Sequence, residues 1–161
     1  MADTKYTQKS EIKAGPGTKE GMDLPKERKY LYSHPNLGKK RPLETWPRTT
    51  EIHCDNCSYP IPGIPSSICE NFNDTLREFE CFAFYCDDSC ALAKLYERMS
   101  FQLTQQLMDT NLFHLKLNTV VRGAVQDLGQ YPRLPKTELK KFGGSLSIEE
   151  YRQRTVADIV H

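Results

Sequence analysis

No stretch of this chain approaches the roughly 18 consecutive apolar residues that a membrane-spanning helix requires. Its first residues, MADTKYTQKSEIK, lack the apolar centre of a secretory signal. We therefore expect a soluble protein that is not secreted and has no membrane partner. Also missing are a Gly-rich phosphate loop, a His-Glu-x-x-His pair and a nucleophile elbow. No sequence signature then argues for an enzyme or a small-molecule substrate, and a non-enzymatic role is expected. Hydrophobic residues make up only 38% of the 161, so the single domain that such a length suggests should have a small core. Tryptophan occurs once, at Trp46, and no internal repeat or low-complexity tract is visible.

Charge is uneven, although the formal net charge is only +1. Residues 1–50 hold eleven Lys/Arg against six Asp/Glu, residues 51–110 three against ten, and residues 111–161 eight against five. An acidic centre lies between two basic flanks, so a polyanion would meet the flanks rather than the middle.

Along the chain, residues 1–50 show no helical or strand periodicity and are expected to be irregular, disordered or draped over a partner. Within them GKKRP (Gly38 to Pro42) is a basic cluster, readable as a nuclear address, a phosphate contact or a solvated tail. Trp46 would pin this tail to the domain, because a large apolar ring gains by being covered. Order is expected from Glu51. Pro60, Pro62 and Pro65 exclude a helix after the first cysteines. Ile68–Phe72 and Phe79–Tyr85 then read as a hairpin, with Phe82 and Phe84 on one face and Cys81, Ala83 and Tyr85 on the other. A long helix follows from Asp88, carrying Leu92, Leu95, Tyr96, Met99, Leu103 and Leu107 on one face. Its N-terminus has capping and charge complements in Asp87, Asp88 and Ser89. A second helix is expected within Leu112 to Val125. A short helix over Thr137 to Phe142 should stop at Gly143-Gly144, and a last one should start in a capping box, Ser147-x-x-Glu150.

The six cysteines supply the chemistry. In a reducing compartment they are metal ligands or buried thiols rather than disulfides. Cys54-x2-Cys57 and Cys86-x3-Cys90 have the paired spacing that closes a tetrahedral zinc site, the first pair on a Pro-stiffened turn and the second at a strand-to-helix junction. A knuckle, a hairpin and a helix pinned by one ion is the treble-clef plan, an α+β module here extended by C-terminal helices. Helix N-terminal amides near Cys86 and Cys90 would help to hold the thiolate charge. The soft donors favour zinc over calcium or magnesium, with iron the other soft candidate. With no position left open, the ion would be structural. The alternative is six inert buried thiols. Cys69 and Cys81 are symmetric about Thr75 and should face each other across the hairpin. His53, beside Cys54, is a possible substitute ligand or a solvent-facing neighbour.

The stretch CDNCSYPIPGIP…FECFAFYCDDSCALAKLYE, together with LKKFGGSLSIEEYR (Leu139 to Arg152), resembles the late gene transcription factors of poxviruses and other large nucleocytoplasmic DNA viruses, the third late factor in the poxvirus naming. Two separated motifs in the right order span about Cys54 to Arg152. Asp87 stands where that family usually has serine, and Glu80 to Phe82 where it often has glycine. The resemblance implies that Cys54, Cys57, Cys86 and Cys90 hold one zinc. It implies a factor of late viral transcription that acts with the viral RNA polymerase, other transcription factors or promoter DNA, in the host cytoplasm or viral factory, with the virion or nucleus as further locations. The acidic centre is a poor ligand for phosphate. The zinc module is therefore expected to bind protein, and the flanks (Lys39, Lys40, Arg41; Lys136, Lys140, Lys141) to touch nucleic acid or another acidic partner. The competing reading is a viral interaction or virion protein that uses the same finger to bind a viral or host protein without transcription activity.

Overall fold

The structure is a computed structural model that describes residues 29–98, 103–123 and 131–160. It is an α+β fold built on a four-stranded sheet. The hairpin expected from the sequence is present and longer at both ends, as β3 (Ser66–Asn73) and β4 (Glu78–Tyr85). Two further strands, β1 (Leu31–His34) and β2 (Gly38–Pro42), complete the order β2-β1-β4-β3, with β1 parallel to β4 and the other pairs antiparallel.

Residues 29–50 are thus not an irregular tail, which corrects the sequence reading for that part; residues 1–28 lie outside the described residues. The strands escaped notice for a physical reason. All five residues of β2 are exposed and carry no apolar period, and β1 shows its buried face in only two residues, one of them a histidine. Their partners hold them in place: Leu43 donates its N–H to the Tyr30 carbonyl at 2.8 Å, and Leu31 donates to the Arg77 carbonyl at 2.9 Å.

Trp46 does pin this segment, and it sits at the centre of the core. Its ring meets Tyr32 edge-on at 4.8 Å, Phe84 at 5.8 Å and Phe113 at 5.2 Å, while its indole N–H donates to the Pro65 carbonyl at 2.8 Å. Tyr32, Trp46, Phe79, Phe84 and Phe113 are all essentially inaccessible. Edge-to-face aromatic contacts add about 0.5–1.5 kcal/mol per pair beyond the area they bury. The core is therefore larger than composition suggests, because residues 30–46 contribute to it.

The alternation expected along β4 is interrupted. Ala83 has φ +61°, and the register gains one β4 residue between Ile68↔Phe82 and Ser66↔Tyr85, a bulge stapled by the Ser67 hydroxyl on the carbonyls of Phe82 and Ala83, both at 2.8 Å. Phe84 enters the core, whereas Phe82 stays half-buried under the Arg98 guanidinium at 4.6 Å.

Of the long helix expected after Asp88, the described residues hold α1 (Asp88–Arg98) and α2 (Leu103–Leu117), and α2 also takes in the start of the expected second helix; Met99 lies outside the described residues. α2 runs on through a wider turn, Asn118–Arg122, that ends at Gly123 in the left-handed conformation. Ala124 and Val125 of the expected second helix lie outside the described residues. α2 covers the β3 edge with polar side chains, which hydrophobic periodicity cannot reveal. Thr110 accepts from the Cys69 N–H at 3.0 Å and donates to its carbonyl at 3.2 Å, and the His114 ring donates to the Ser67 carbonyl at 2.9 Å. That closes a sheet edge that would otherwise expose unpaired backbone groups.

The start of α1 is fixed by Asp88, only 3% exposed, which accepts from Ser66 Oγ at 2.6 Å, Arg122 Nη1 at 3.0 Å and Asn118 Nδ2 at 3.2 Å. Burial alone would push its carboxyl up, but the neighbouring His114 ring and Arg122 guanidinium, with the Ser66 hydroxyl, together hold it below the usual range. Among the described residues, no helix is long and apolar enough to cross a membrane.

The C-terminal part consists of short pieces: turns at Lys136–Glu138 and Lys140–Phe142, then α3 (Ile148–Arg152) and α4 (Ala157–Val160). The expected helix over 137–142 is two such turns hinged at Leu139, whose extended backbone interrupts it. The stop at Gly143, at φ +95°, and the capping box of α3 are both present.

Candidate metal centre

The first cysteine pair sits on a tight turn that its own backbone explains. Ser58 donates its N–H to the Cys54 carbonyl at 2.8 Å, and the amides of Asn56 and Cys57 point at Cys54 Sγ from 3.4 and 3.5 Å. Closing the turn forces Ser58 to φ +66°, a conformation that side chains with a Cβ resist. The knuckle is fastened to the sheet by the Asp55 N–H on the Phe84 carbonyl at 2.9 Å.

Cys86 follows β4 directly, and Cys90 lies in the first turn of α1, where its N–H is capped by Asp87 Oδ1 at 2.9 Å. Asp87 is held in turn by Arg133 Nη2 at 2.6 Å.

These elements bring Cys54, Cys57, Cys86 and Cys90 together, with all four sulfurs within 4.8 Å of one another and Cys57 Sγ 3.5 Å from Cys86 Sγ. A tetrahedral zinc–thiolate site, with Zn–S near 2.3 Å, has sulfurs about 3.8 Å apart, so the spacing fits. All four are buried, Cys86 being the most accessible at 8%. Four thiolates this close cannot coexist without a cation between them. Thiol contacts from Cys54, Cys86 and Cys90 hold Cys57 well below the ordinary thiol range, while contacts that begin with Cys54 push Cys86 and Cys90 up. A buried dication removes that conflict, which is why the donor set suits a metal better than four neutral thiols.

The other two cysteines stand apart. Cys69 and Cys81 are register partners across the hairpin, and burial raises both, Cys69 to about 12. That makes them inert packing groups. His53 is exposed, and its Nδ1 is 3.0 Å from the Ser58 carbonyl, outside the sulfur cluster.

The basic residues do not converge. Lys39, Lys40 and Arg41 lie on β2, with Lys40 paired to Glu78 at 3.0 Å. Lys141 lies over the Tyr59 ring at 4.6 Å and reaches the Ser58 carbonyl, and Lys136 pairs with Glu97 at 3.7 Å; Lys140 is exposed on the same short turn as Lys141. Glu78 opens β4, whereas the knuckle is tied to Phe84 near its end, so the two sets are roughly 20 Å apart along the strand.

Sequence reasoning missed three residues beside the sulfurs. Asn56 Nδ2 donates to Cys90 Sγ at 3.5 Å and to Tyr151 Oη at 2.9 Å. Arg152 Nη2 donates to Cys86 Sγ at 3.5 Å and to the Pro60 carbonyl at 2.9 Å. Tyr151, wholly buried, donates its hydroxyl to the Leu134 carbonyl at 2.7 Å. Asn56 lies inside the CDNC knuckle itself, whereas the end of the SIEEYR motif, more than sixty residues from the nearest cysteine, is the sequence signal that leads to Tyr151 and Arg152. Comparisons with family models, with curated proteins and with solved structures found no match.

Proposed function

We propose that the protein is a non-enzymatic, zinc-binding transcription factor of the late viral class, in which Cys54, Cys57, Cys86 and Cys90 hold one structural zinc in a treble-clef module. One observation carries the reading: the two separated motifs of the resemblance meet in space, Tyr151 and Arg152 of the second sitting on the sulfurs and knuckle of the first. Sulfur-only donors select a soft ion, and four of them complete its coordination. Bound there, zinc supplies a cross-link between the knuckle, the end of β4 and the start of α1. Thiolates at every position suit that structural task, since a catalytic zinc keeps one position for water or substrate.

Charge favours a protein partner for this module, such as the viral RNA polymerase or another transcription factor. Residues 51–110 are acidic, and the basic groups on either side form two patches rather than one groove. Each patch is left to touch nucleic acid or an acidic protein. The same division of charge supports the second reading, a viral interaction or virion protein with no role in transcription.

The test is a pull-down of the tagged chain from infected cells, with and without nuclease, combined with salt titration of promoter DNA binding. Polymerase retained after nuclease supports the proposal. Salt-tolerant capture of a different protein, with neither polymerase nor DNA bound, replaces it with the second reading. If the β2 patch binds phosphates, replacing Lys39, Lys40 and Arg41 by alanine lowers the salt slope by about one for each phosphate no longer neutralised and leaves the fold intact.

A further inference from the structure

The donors that surround the sulfurs have two origins. Those on Cys54 are local, being amides of its own turn. The side-chain donors on Cys86 and Cys90 lead to a single distant place: Arg152 bonds Cys86 directly, and Asn56, which bonds Cys90, is held by the Tyr151 hydroxyl. The surface on which Tyr151 and Arg152 rest is itself composite. Asn56 and Pro60 belong to the knuckle segment, Cys86 follows β4, and Leu134 belongs to a stretch of chain that Arg133 fastens to Asp87 and to the Ser89 carbonyl at the start of α1. A metal held by the four cysteines would add a cross-link between the knuckle, the end of β4 and the start of α1, beside the hydrogen bonds from Asp55 to Phe84 and from Arg133 to Asp87.

The remaining contacts are poorly suited to hold this part of the chain alone. α3 has five residues, far fewer than a helix needs for stability in isolation. The seam between α1 and the stretch that carries Leu134 is open: a cavity of about 650 Å³ lies there, walled by Asn56, Ala93, Tyr96, Tyr131, Pro132 and Val156. Among the described residues, Arg152 is also the one cation seen to touch a candidate ligand sulfur. A dication on four thiolates leaves excess negative charge, which that guanidinium is placed to offset.

We infer that Ser147–Arg152 is a clasp coupled to the metal centre: metal binding closes it onto the knuckle, and withdrawal of the metal opens it, exposing Asn56 and the Leu134 backbone, which are buried in the closed form. This deepens, and rests on, the reading of the four cysteines as a metal centre. Coupling of this kind is reciprocal, so whatever the metal contributes to docking, the docked clasp contributes to metal affinity.

The test uses the full chain and Zn2+ in competition with a chromophoric chelator. Arg152→Ala is expected to weaken zinc binding about 10–100-fold, and Tyr151→Phe, which keeps the buried ring but loses its hydroxyl, to weaken it less. The second measurement needs no variant. Hydrogen exchange at the Tyr151 and Gln153 amides, which bond to Ser147 and Glu150, should accelerate on chelation before the amides of β3 and β4 do. If wild type takes up no zinc, both the metal reading and the clasp fail. If zinc binds, but Arg152→Ala binds it equally well and exchange over residues 147–153 ignores chelation, the clasp alone is overturned.

Discussion

The adjacent glycines of the LKKFGG stretch give the sharpest test of the C-terminal architecture, because the same substitution should cost very different amounts at the two positions. Gly143 has φ +95° and open space around it, so an alanine there meets only backbone strain, about 1–2 kcal/mol. At Gly144 the obstacle is steric. A Cβ would lie 2.2 Å from the backbone carbon and oxygen of Glu138 and 2.4 Å from the Thr137 oxygen, none of which can swing aside like a side-chain tip. Room is made only by opening the loop. The bonds at stake are Gly144 to Leu139, Leu146 to Glu138 and Lys140 to Leu146, all at 2.8 Å. At about 1 kcal/mol each they amount to about 3 kcal/mol, before any loss of packing around the buried Leu139 and Leu146. Hydrogen exchange at the amides of Lys140, Gly144 and Leu146, in the zinc-loaded chain, reads this directly. Gly144→Ala should raise their exchange by about two orders of magnitude, clearly more than Gly143→Ala does. Equal effects at the two positions, or a neutral Gly144→Ala, would refute the close approach of these two chain segments.

Cys90→Ser should abolish stoichiometric metal by elemental analysis and cost more than about 4 kcal/mol in urea unfolding, as loss of a structural ion does; retained metal would remove Cys90 from the centre. His34 is locked neutral, its Nδ1 accepting from the Asn36 N–H at 3.1 Å and its Nε2 2.9 Å from the Ala83 carbonyl, and burial lowers its pKa below 6.5. The unfolded chain then binds the proton first, so the contribution of His34 to stability is complete above pH 6.5 and declines as pH falls below it. The stability difference between wild type and His34→Phe, measured with metal saturating, should accordingly stay constant above pH 6.5 and narrow below; a difference that widens on acidification contradicts the assigned tautomer. Ser58→Gly should stabilise the knuckle by about 0.5–1 kcal/mol, seen as a higher urea midpoint, since Ser58 is held at φ +66°; a loss of stability would mean that its side chain does more than tolerate the turn.

The sequence by itself determined the features set by local chemistry. Cysteine spacing marked the four thiols that cluster, prolines 60, 62 and 65 excluded a helix beside them, and residues symmetric about Thr75 placed Cys69 opposite Cys81. Gly143 and the Ser147 capping box announced a helix stop and start. Each of these signals is a residue type or a spacing that can be read directly along the chain. Tertiary structure decided the rest, because the causes are distant in the chain. β1 and β2 exist by pairing with β4 and with each other, α2 turns Thr110 and His114 to the β3 edge instead of an apolar stripe, and the Ala83 bulge diverts Phe84 into the Trp46 cluster. The docking of Tyr151 and Arg152 on a centre built more than sixty residues earlier is of the same kind. Hydrogen bonds and ring contacts have a reach of a few ångströms in space but none along the sequence, so only the folded chain reveals which residues they join.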